Sequence, residues 1–175
     1  VLVFTAEEVW GTRYPDAGSV HLLEWPEIDA GWQDEALAGR VDFVRRLRAL
    51  AFSAAEEARR DKKIGSNSEA EVQFTFGSAE NFNRAYELSK SLEFNFEEIF
   101  ITSSVSLQFN DSGVDLATFK KDFGYEVEIA IDLTLEAAAG VKKASYEKCA
   151  RCWRHLADID ANSQLCTRCD AVVHA

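Results

Sequence analysis

Four cysteines stand in the pattern Cys149-x2-Cys152-x13-Cys166-x2-Cys169, all close to the end of a 175-residue chain. A Cys-x-x-Cys turn presents two thiolates from one tight knuckle. Two such knuckles can close four sulfurs around one tetrahedral Zn²⁺ at roughly 2.3 Å, with no position left open for water. A single pair could instead be a thioredoxin-like redox dithiol, but that chemistry needs a strand-to-helix setting and no evenly spaced duplicate. Iron is the other metal that a four-thiolate cage accepts. The spacing predicts one structural Zn²⁺ held by Cys149, Cys152, Cys166 and Cys169. His155 and His174 are not needed as ligands.

The metal also answers a folding problem. Residues 149–175 offer few larger apolar groups, chiefly Trp153, Leu156, Ile159, Leu165 and Val172, too few for a core. Metal binding, on the order of 10 kcal/mol for sites of this type, must then drive folding of the tail. Around the sulfurs stand Lys148, Arg151, Arg154 and Arg168. They could offset the −2 charge of a Zn²⁺ with four thiolates, or meet phosphates. Trp153 could stack on a base, but packing against the knuckle is the expected role.

No other constellation carries chemistry. The chain contains no Gly-x-Gly-x-x-Gly, Walker, His-Glu-x-x-His or Gly-x-Ser-x-Gly motif, and a closed four-thiolate metal supplies no Lewis acid. The chain by itself is expected to catalyse nothing.

The net charge of −11 argues against bulk attraction to nucleic acid, but the charge is unevenly spread. Residues 1–40 carry eight acids and two bases, and residues 71–140 thirteen and four. Residues 41–70 carry seven bases against five acids, and 141–175 six against four. The candidate RNA contacts are therefore Arg45, Arg59, Lys62 and Lys63 in the first basic stretch. In the second they are Lys142, Lys143, Lys148, Arg151, Trp153, Arg154 and Arg168. For the arginines on the long helix, Arg45, Arg46, Arg48, Arg59 and Arg60, an ordinary solvated face is the competing reading. Clustered cysteines, no signal peptide and no run of 18 apolar residues point to a soluble, reducing compartment without membrane insertion. The opening VLVFTAEEVW has no methionine and reads as the interior of something longer.

The elements that must position these groups read as an α+β body. Thr5-Ala-Glu-Glu8 has capping-box spacing, predicting a helix from Thr5 through Trp10. Gly11 to Gly31 holds both prolines and reads as loop. From Trp32 to about Arg60, Leu37, Val41, Val44, Leu47, Leu50, Ala51, Ala54 and Ala58 recur at threes and fours, so a long amphipathic helix is expected, ending near Ile64-Gly65. Strands are predicted at Glu71–Phe76, through Ile99, Ile101, Val105 and Leu107, and over Tyr125–Leu135, with a helix over 79–93. The sheet is small and antiparallel or mixed, and Phe94, Phe96 and Phe100 are expected to fill the core or pack the sheet against a helix and not to stack on bases.

Lys148-Cys-Ala-Arg-Cys-Trp153 followed by Leu165-Cys-Thr-Arg-Cys169 resembles the C-terminal zinc module of bacterial isoleucyl-tRNA synthetases. Phe4-Thr-Ala-Glu-Glu-Val-Trp10, Ser19-Val-His-Leu22 and Trp25-Pro26 resemble the later part of that family's helical anticodon-binding domain. Glu57-Ala-Arg-Arg-Asp-Lys-Lys-Ile-Gly-Ser66 resembles its long helix and the turn after it, and Val141-Lys-Lys-Ala144 the lead-in to the first knuckle. The resemblance implies a division into 1–66 (end of the helical domain), 67–140 (α+β junction) and 141–175 (zinc module). The four cysteines fall on the family's zinc ligands, and Arg151 and Trp153 match its motif. The parent enzymes are cytoplasmic class I ligases that use ATP to join isoleucine to its tRNA. Their His-Ile-Gly-His and Lys-Met-Ser-Lys-Ser motifs are absent here, so ATP belongs to a catalytic domain outside this chain. The implied partners are tRNA(Ile), through its anticodon stem-loop, and the rest of the synthetase polypeptide. Competing readings are the four-cysteine tail of a DNA-repair glycosylase and a purely structural zinc-stapled interaction module.

Overall fold

The apolar stripe predicted along the middle of the chain forms one 26-residue helix, α2, Glu35–Arg60. Its buried face carries Phe43, Val44, Leu47, Leu50, Ala51, Ala54, Ala55 and Ala58, the three-and-four recurrence that keeps side chains on one side. Trp32 precedes the helix, in a single 3-10 turn over Ala30–Trp32. The helix also stops earlier than the glycine suggests. Lys62 takes a left-handed φ of 59°, its N–H bonds the Arg59 carbonyl, and the Lys63 N–H bonds that of Ala58. These two bonds satisfy the last carbonyls, so the backbone turns at a lysine and Gly65 is not required.

The computed structural model describes residues 2–91, 94–114 and 128–174. They contain helices α1 (Val3–Arg13), α2, α3 (Ala79–Lys90), α4 (Phe96–Phe100) and α5 (Thr167–Val173). The strands are β1 (Ala70–Phe76), β2 (Ser104–Phe109), β3 (Glu128–Asp132) and β4 (Ala137–Lys143). They form a mixed sheet in the order β2-β1-β4-β3. β1 runs parallel to β2 and antiparallel to β4, which is antiparallel to β3. The α+β class and the small mixed sheet are as expected. Leu92 of the predicted helix, and Tyr125 to Val127 of the predicted third strand, lie outside the described residues.

Several boundaries differ from the sequence reading. α1 starts at Val3, because the Ala6 N–H already bonds the Leu2 carbonyl; Thr5 is therefore interior and its capping-box spacing is incidental. Ile99 and Ile101 are not in a strand. The Asn95 side chain accepts the Glu98 N–H at 2.9 Å, which starts α4 and lets Phe96 and Phe100 bury together one turn apart. Ile101 then reverses the chain at φ 58°, and β2 begins at Ser104. The third strand ends at Asp132, and a fourth, unforeseen strand follows.

That fourth strand, Ala-Ala-Ala-Gly-Val-Lys-Lys, lies in the sheet interior with Ala137, Ala138, Ala139 and Val141 fully buried. Small side chains there let neighbouring layers approach closely. One contiguous core joins the α2 face to Val72, Phe74, Phe76, Phe100, Leu135 and Val141. Phe74 meets Phe100 edge-on at 5.6 Å. Where β1 ends, a Cβ on Gly77 would come within 3.1 Å of the Gly113 backbone, a tight approach that favours glycine there.

The turn between β3 and β4 is organised by Asp132. Its Oδ1 accepts the N–H groups of Thr134 at 2.8 Å and Leu135 at 3.0 Å, and the Thr134 hydroxyl at 2.7 Å. Its Oδ2 meets Arg46 at 3.2 Å. Partial burial pushes against ionisation, but these donors outweigh it and hold the carboxyl below the usual aspartate range. Because the folded pKa is depressed, the contribution is complete above the unfolded value of about 4 and is lost as pH falls through the folded value. Asp132→Ala is expected to cost about 1–3 kcal/mol at neutral pH. Urea midpoints measured from pH 7 down to 3 should show the variant and the parent converging in acid.

The chain divides into two compact units, Val1–Ala36 and Leu37–Ala175. The second unit takes α2 together with the sheet and the cysteine-rich tail. The physical reason is the α2 face, whose eight buried residues share the sheet's core. In the first unit α1 is held to the turn at Val20–Leu22. Ser19 Oγ donates to Glu7 Oε2 at 2.9 Å, and the His21 ring lies 3.0 Å from the Val3 carbonyl. Phe4, Leu22, Trp25 and Trp32 all stand largely exposed there, Trp25 at 95%.

Candidate metal centre and nucleic-acid interface

The first knuckle is built by backbone hydrogen bonds. The Trp153 N–H returns to the Cys149 carbonyl at 3.0 Å, and the Cys149 N–H bonds the Arg154 carbonyl at 2.9 Å. Trp153 closes the turn with a left-handed φ of 65°. The second knuckle opens after Gln164, itself at φ 55°, and runs into α5. The Ala150 N–H bonds the Gln164 carbonyl at 3.0 Å and so joins the two. Asp158 accepts the Thr167 N–H at 3.0 Å, and Asp160 accepts those of Asn162 and Ser163 at 2.9 Å. Both carboxyls are held below the ordinary aspartate value, Asp158 chiefly by Thr167 and Asp160 by the Ser163 and Asn162 N–H groups.

These turns bring the Sγ atoms of Cys149, Cys152, Cys166 and Cys169 within 4.8 Å of one another. Cys152 and Cys166 are 3.9 Å apart. A tetrahedron with metal–sulfur bonds of about 2.3 Å has edges of about 3.8 Å, so the donor set fits Zn²⁺. Cys149, Cys166 and Cys169 are buried and Cys152 is half-buried. Among the described residues, the apolar side chains packed on them are Leu156, Ile159 and Leu165, each partly buried. The cluster is thus consistent with a closed structural zinc site, and no histidine belongs to it. His155 Nδ1 lies 2.6 Å from the Tyr146 carbonyl, and His174 Nδ1 3.3 Å from Asp170.

The sulfurs are also electrostatically unequal. Burial opposes the Cys149 thiolate, but N–H groups of Cys152, Cys166 and Arg151 overcome it and bring its pKa down to about 6. Burial, reinforced by the neighbouring cysteines, pushes Cys166 up to about 12 and also raises Cys152. A dication at the centre offsets the mutual repulsion of four thiolates, so loading the site releases protons.

The structure sorts the candidate RNA contacts into two groups. Most have carboxylate partners. Arg45 faces Asp42 at 3.9 Å, Arg59 pairs with Glu56, and Lys63 lies 4.0 Å from Asp61. Lys142 is 3.4 Å from Glu71, Lys143 is 3.9 Å from Glu69, and Arg168 pairs with Glu98. Arg154 turns inward, its Nη2 donating to the Ser103 carbonyl at 2.9 Å. Lys62 serves as the left-handed residue after α2.

What the fold brings together is smaller: Lys148, Arg151 and Trp153 on the first knuckle. Lys148 Nζ lies 5.4 Å from the Trp153 ring centroid, and Arg151 Nη1 lies 3.7 Å from Cys169 Sγ. Trp153, expected to pack on the knuckle, is 63% exposed. An exposed indole beside Lys148 can stack on a base while that cation meets a phosphate. The sequence reading missed Glu98 and Ser103, which bond side chains and backbone of this module; their sequence context carries no signal for that role.

Comparison with known proteins matches both ends of the chain. A family model described as "Anticodon-binding domain of tRNA ligase" covers residues 1–74, and one described as "Zinc finger found in FPG and IleRS" covers residues 147–172. The isoleucine–tRNA ligase of Zymomonas mobilis subsp. mobilis is 35% identical over 173 residues, covering 99% of this chain and 15% of that protein. That of Gluconobacter oxydans is 34% identical over 178 residues, 100% of this chain and 16% of the relative. That of Natranaerobius thermophilus is 32% identical over 174 residues, 99% and 18% respectively. The chain therefore spans less than a fifth of the length of these curated relatives. The finger by itself is shared by two classes of protein, and the match at residues 1–74 favours the ligases.

Proposed function

We propose, from the premise that this chain belongs to the isoleucine–tRNA ligase family as its anticodon-binding and zinc-finger region, that it positions tRNA(Ile) through the anticodon stem-loop. The ATP-dependent aminoacylation is carried out by a catalytic domain that this chain does not contain, in the cytoplasm. Residues 1–66 then act as the end of the helical anticodon-binding part, 67–140 as a junction and 141–175 as the zinc module. The exposed Phe4, Leu22, Trp25 and Trp32 of the first unit suit cover by the rest of the synthetase polypeptide. No helix among the described residues is long and apolar enough to cross a membrane.

The observation that carries this reading is the rim of the first knuckle, where Trp153 stands exposed beside Lys148 and Arg151 lies two residues before it in the same turn. Exposed ion pairs elsewhere are worth at most about 1 kcal/mol each. Those cations can exchange a carboxylate for a phosphate, but they add little affinity. Binding is therefore expected to be weak and to rest on two or three phosphate contacts plus one stacked base.

Fluorescence anisotropy with labelled tRNA(Ile) tests this. The logarithm of affinity should fall with that of salt concentration with a slope of about −2 to −3. Trp153→Ala should weaken binding by about tenfold or more, as expected for a lost stacking platform. Equal affinity for duplex DNA, together with no effect of Trp153→Ala, would refute the reading.

A further inference from the structure

Ser103 is 2% exposed and sits between α4 and β2, far in sequence from the cysteines. Every polar group it has is used. Its N–H bonds the Ala70 carbonyl at 2.9 Å, and its hydroxyl donates to the Ser68 carbonyl at 2.5 Å. From the other side, the same hydroxyl accepts the His155 N–H at 2.8 Å, and its carbonyl accepts Arg154 Nη2 at 2.9 Å. Two bonds therefore reach the start of the sheet and two reach the residues just after the first knuckle. A second tie between the module and the body among the described residues, Arg168 with Glu98, has both side chains more than half exposed, and water screens such a pair.

We infer that Ser103 is a positioning residue that fixes the zinc module on the sheet, so that Lys148, Arg151 and Trp153 are presented in one orientation. The inference deepens the RNA-binding reading and rests on it for its consequence, not for its geometry. The chemistry needs a hydroxyl, because one small group must donate to Ser68 and accept from His155 at once. Alanine would leave that N–H and that carbonyl unpaired at a buried junction. The zinc cage does not depend on Ser103, since no sulfur touches it. Orientation and metal binding are thereby separable.

The test uses the full zinc-loaded chain as parent, Ser103→Ala and Ser103→Thr. Three quantities are read: zinc content, ¹⁵N relaxation with His155 amide exchange, and affinity for tRNA(Ile). Ser103→Ala should keep one zinc per chain, speed His155 exchange at least tenfold, and give residues 149–174 a shorter correlation time than the sheet. It should weaken tRNA binding about tenfold, the price of a rim no longer held in one orientation. Ser103→Thr retains the hydroxyl and should restore all three readings. If the alanine variant keeps His155 protected and the module tumbling with the sheet, the inference fails, whatever the RNA does. If a folded threonine variant behaves like alanine, the hydroxyl is not the tie and the inference fails as well. If the module is released but RNA affinity is unchanged, the positioning role is overturned. If the parent itself binds no tRNA, the RNA reading falls, while the relaxation data still decide the docking.

Discussion

Cys149→Ser is expected to release the metal and unfold residues 149–174, leaving α2 and the sheet folded. Cys149 is fully buried, and its sulfur accepts the Cys166 N–H at 3.4 Å, so its loss removes a ligand and a link between the knuckles. Three partly buried apolar residues cover the cluster, which at about 25 cal/mol per Å² cannot offset the entropy of ordering some 25 residues. A structural Zn²⁺ contributes on the order of 10 kcal/mol to such a module, and a three-thiolate site forfeits much of it. Zinc content should fall from one per chain to near zero in the presence of a competing chelator. Amide exchange should become fast throughout the tail and stay slow in β1 and β4. Protected tail amides in a metal-free variant would show that packing, and not the ion, holds the module.

The second large effect belongs to the body. Phe74→Ala deletes a fully buried ring from the strand that pairs with both β2 and β4. It empties the space where that ring meets Phe100 edge-on. Truncations of this kind cost about 3–5 kcal/mol, transfer term and cavity together. Set against a typical total of about 5–15 kcal/mol, that is a large fraction of the stability. The thermal midpoint should drop by about 10–20 °C and the urea midpoint in proportion, with an unchanged m-value. Zinc content should remain at one per chain below the transition, because the cage is built from local turns. A variant that lost zinc in step with the sheet would show the two parts to be a single cooperative unit.

How much of this was legible in the residues depended on the range of the interaction involved. The cage could be read because both Cys-x-x-Cys pairs are local turns, and two of them need only one loop to meet. α2 could be read because its apolar positions recur with the helix's own period. β4 could not, since Ala137-Ala-Ala-Gly140 neither alternates nor favours a strand; it is a strand because β1 and β3 pair with it on either side. Ile99 and Ile101 suggested a strand by type, but Asn95 and the Phe96–Phe100 pair set a helical turn there. The basic stretches looked like one RNA surface because sequence counts charges without their partners.

The amino-acid order alone thus determined the metal chemistry, the long amphipathic helix, the α+β class and the family resemblance. Each of these is carried by side chains a few residues apart, or by a period that repeats along the chain. Only the tertiary structure decided which cations remain available and how the zinc module is held. Arg154 and Arg168 find Ser103 and Glu98 across separations of 51 and 70 residues. Trp153 is left exposed. Such contacts arise when the sheet and the knuckles come together, and no local pattern encodes them.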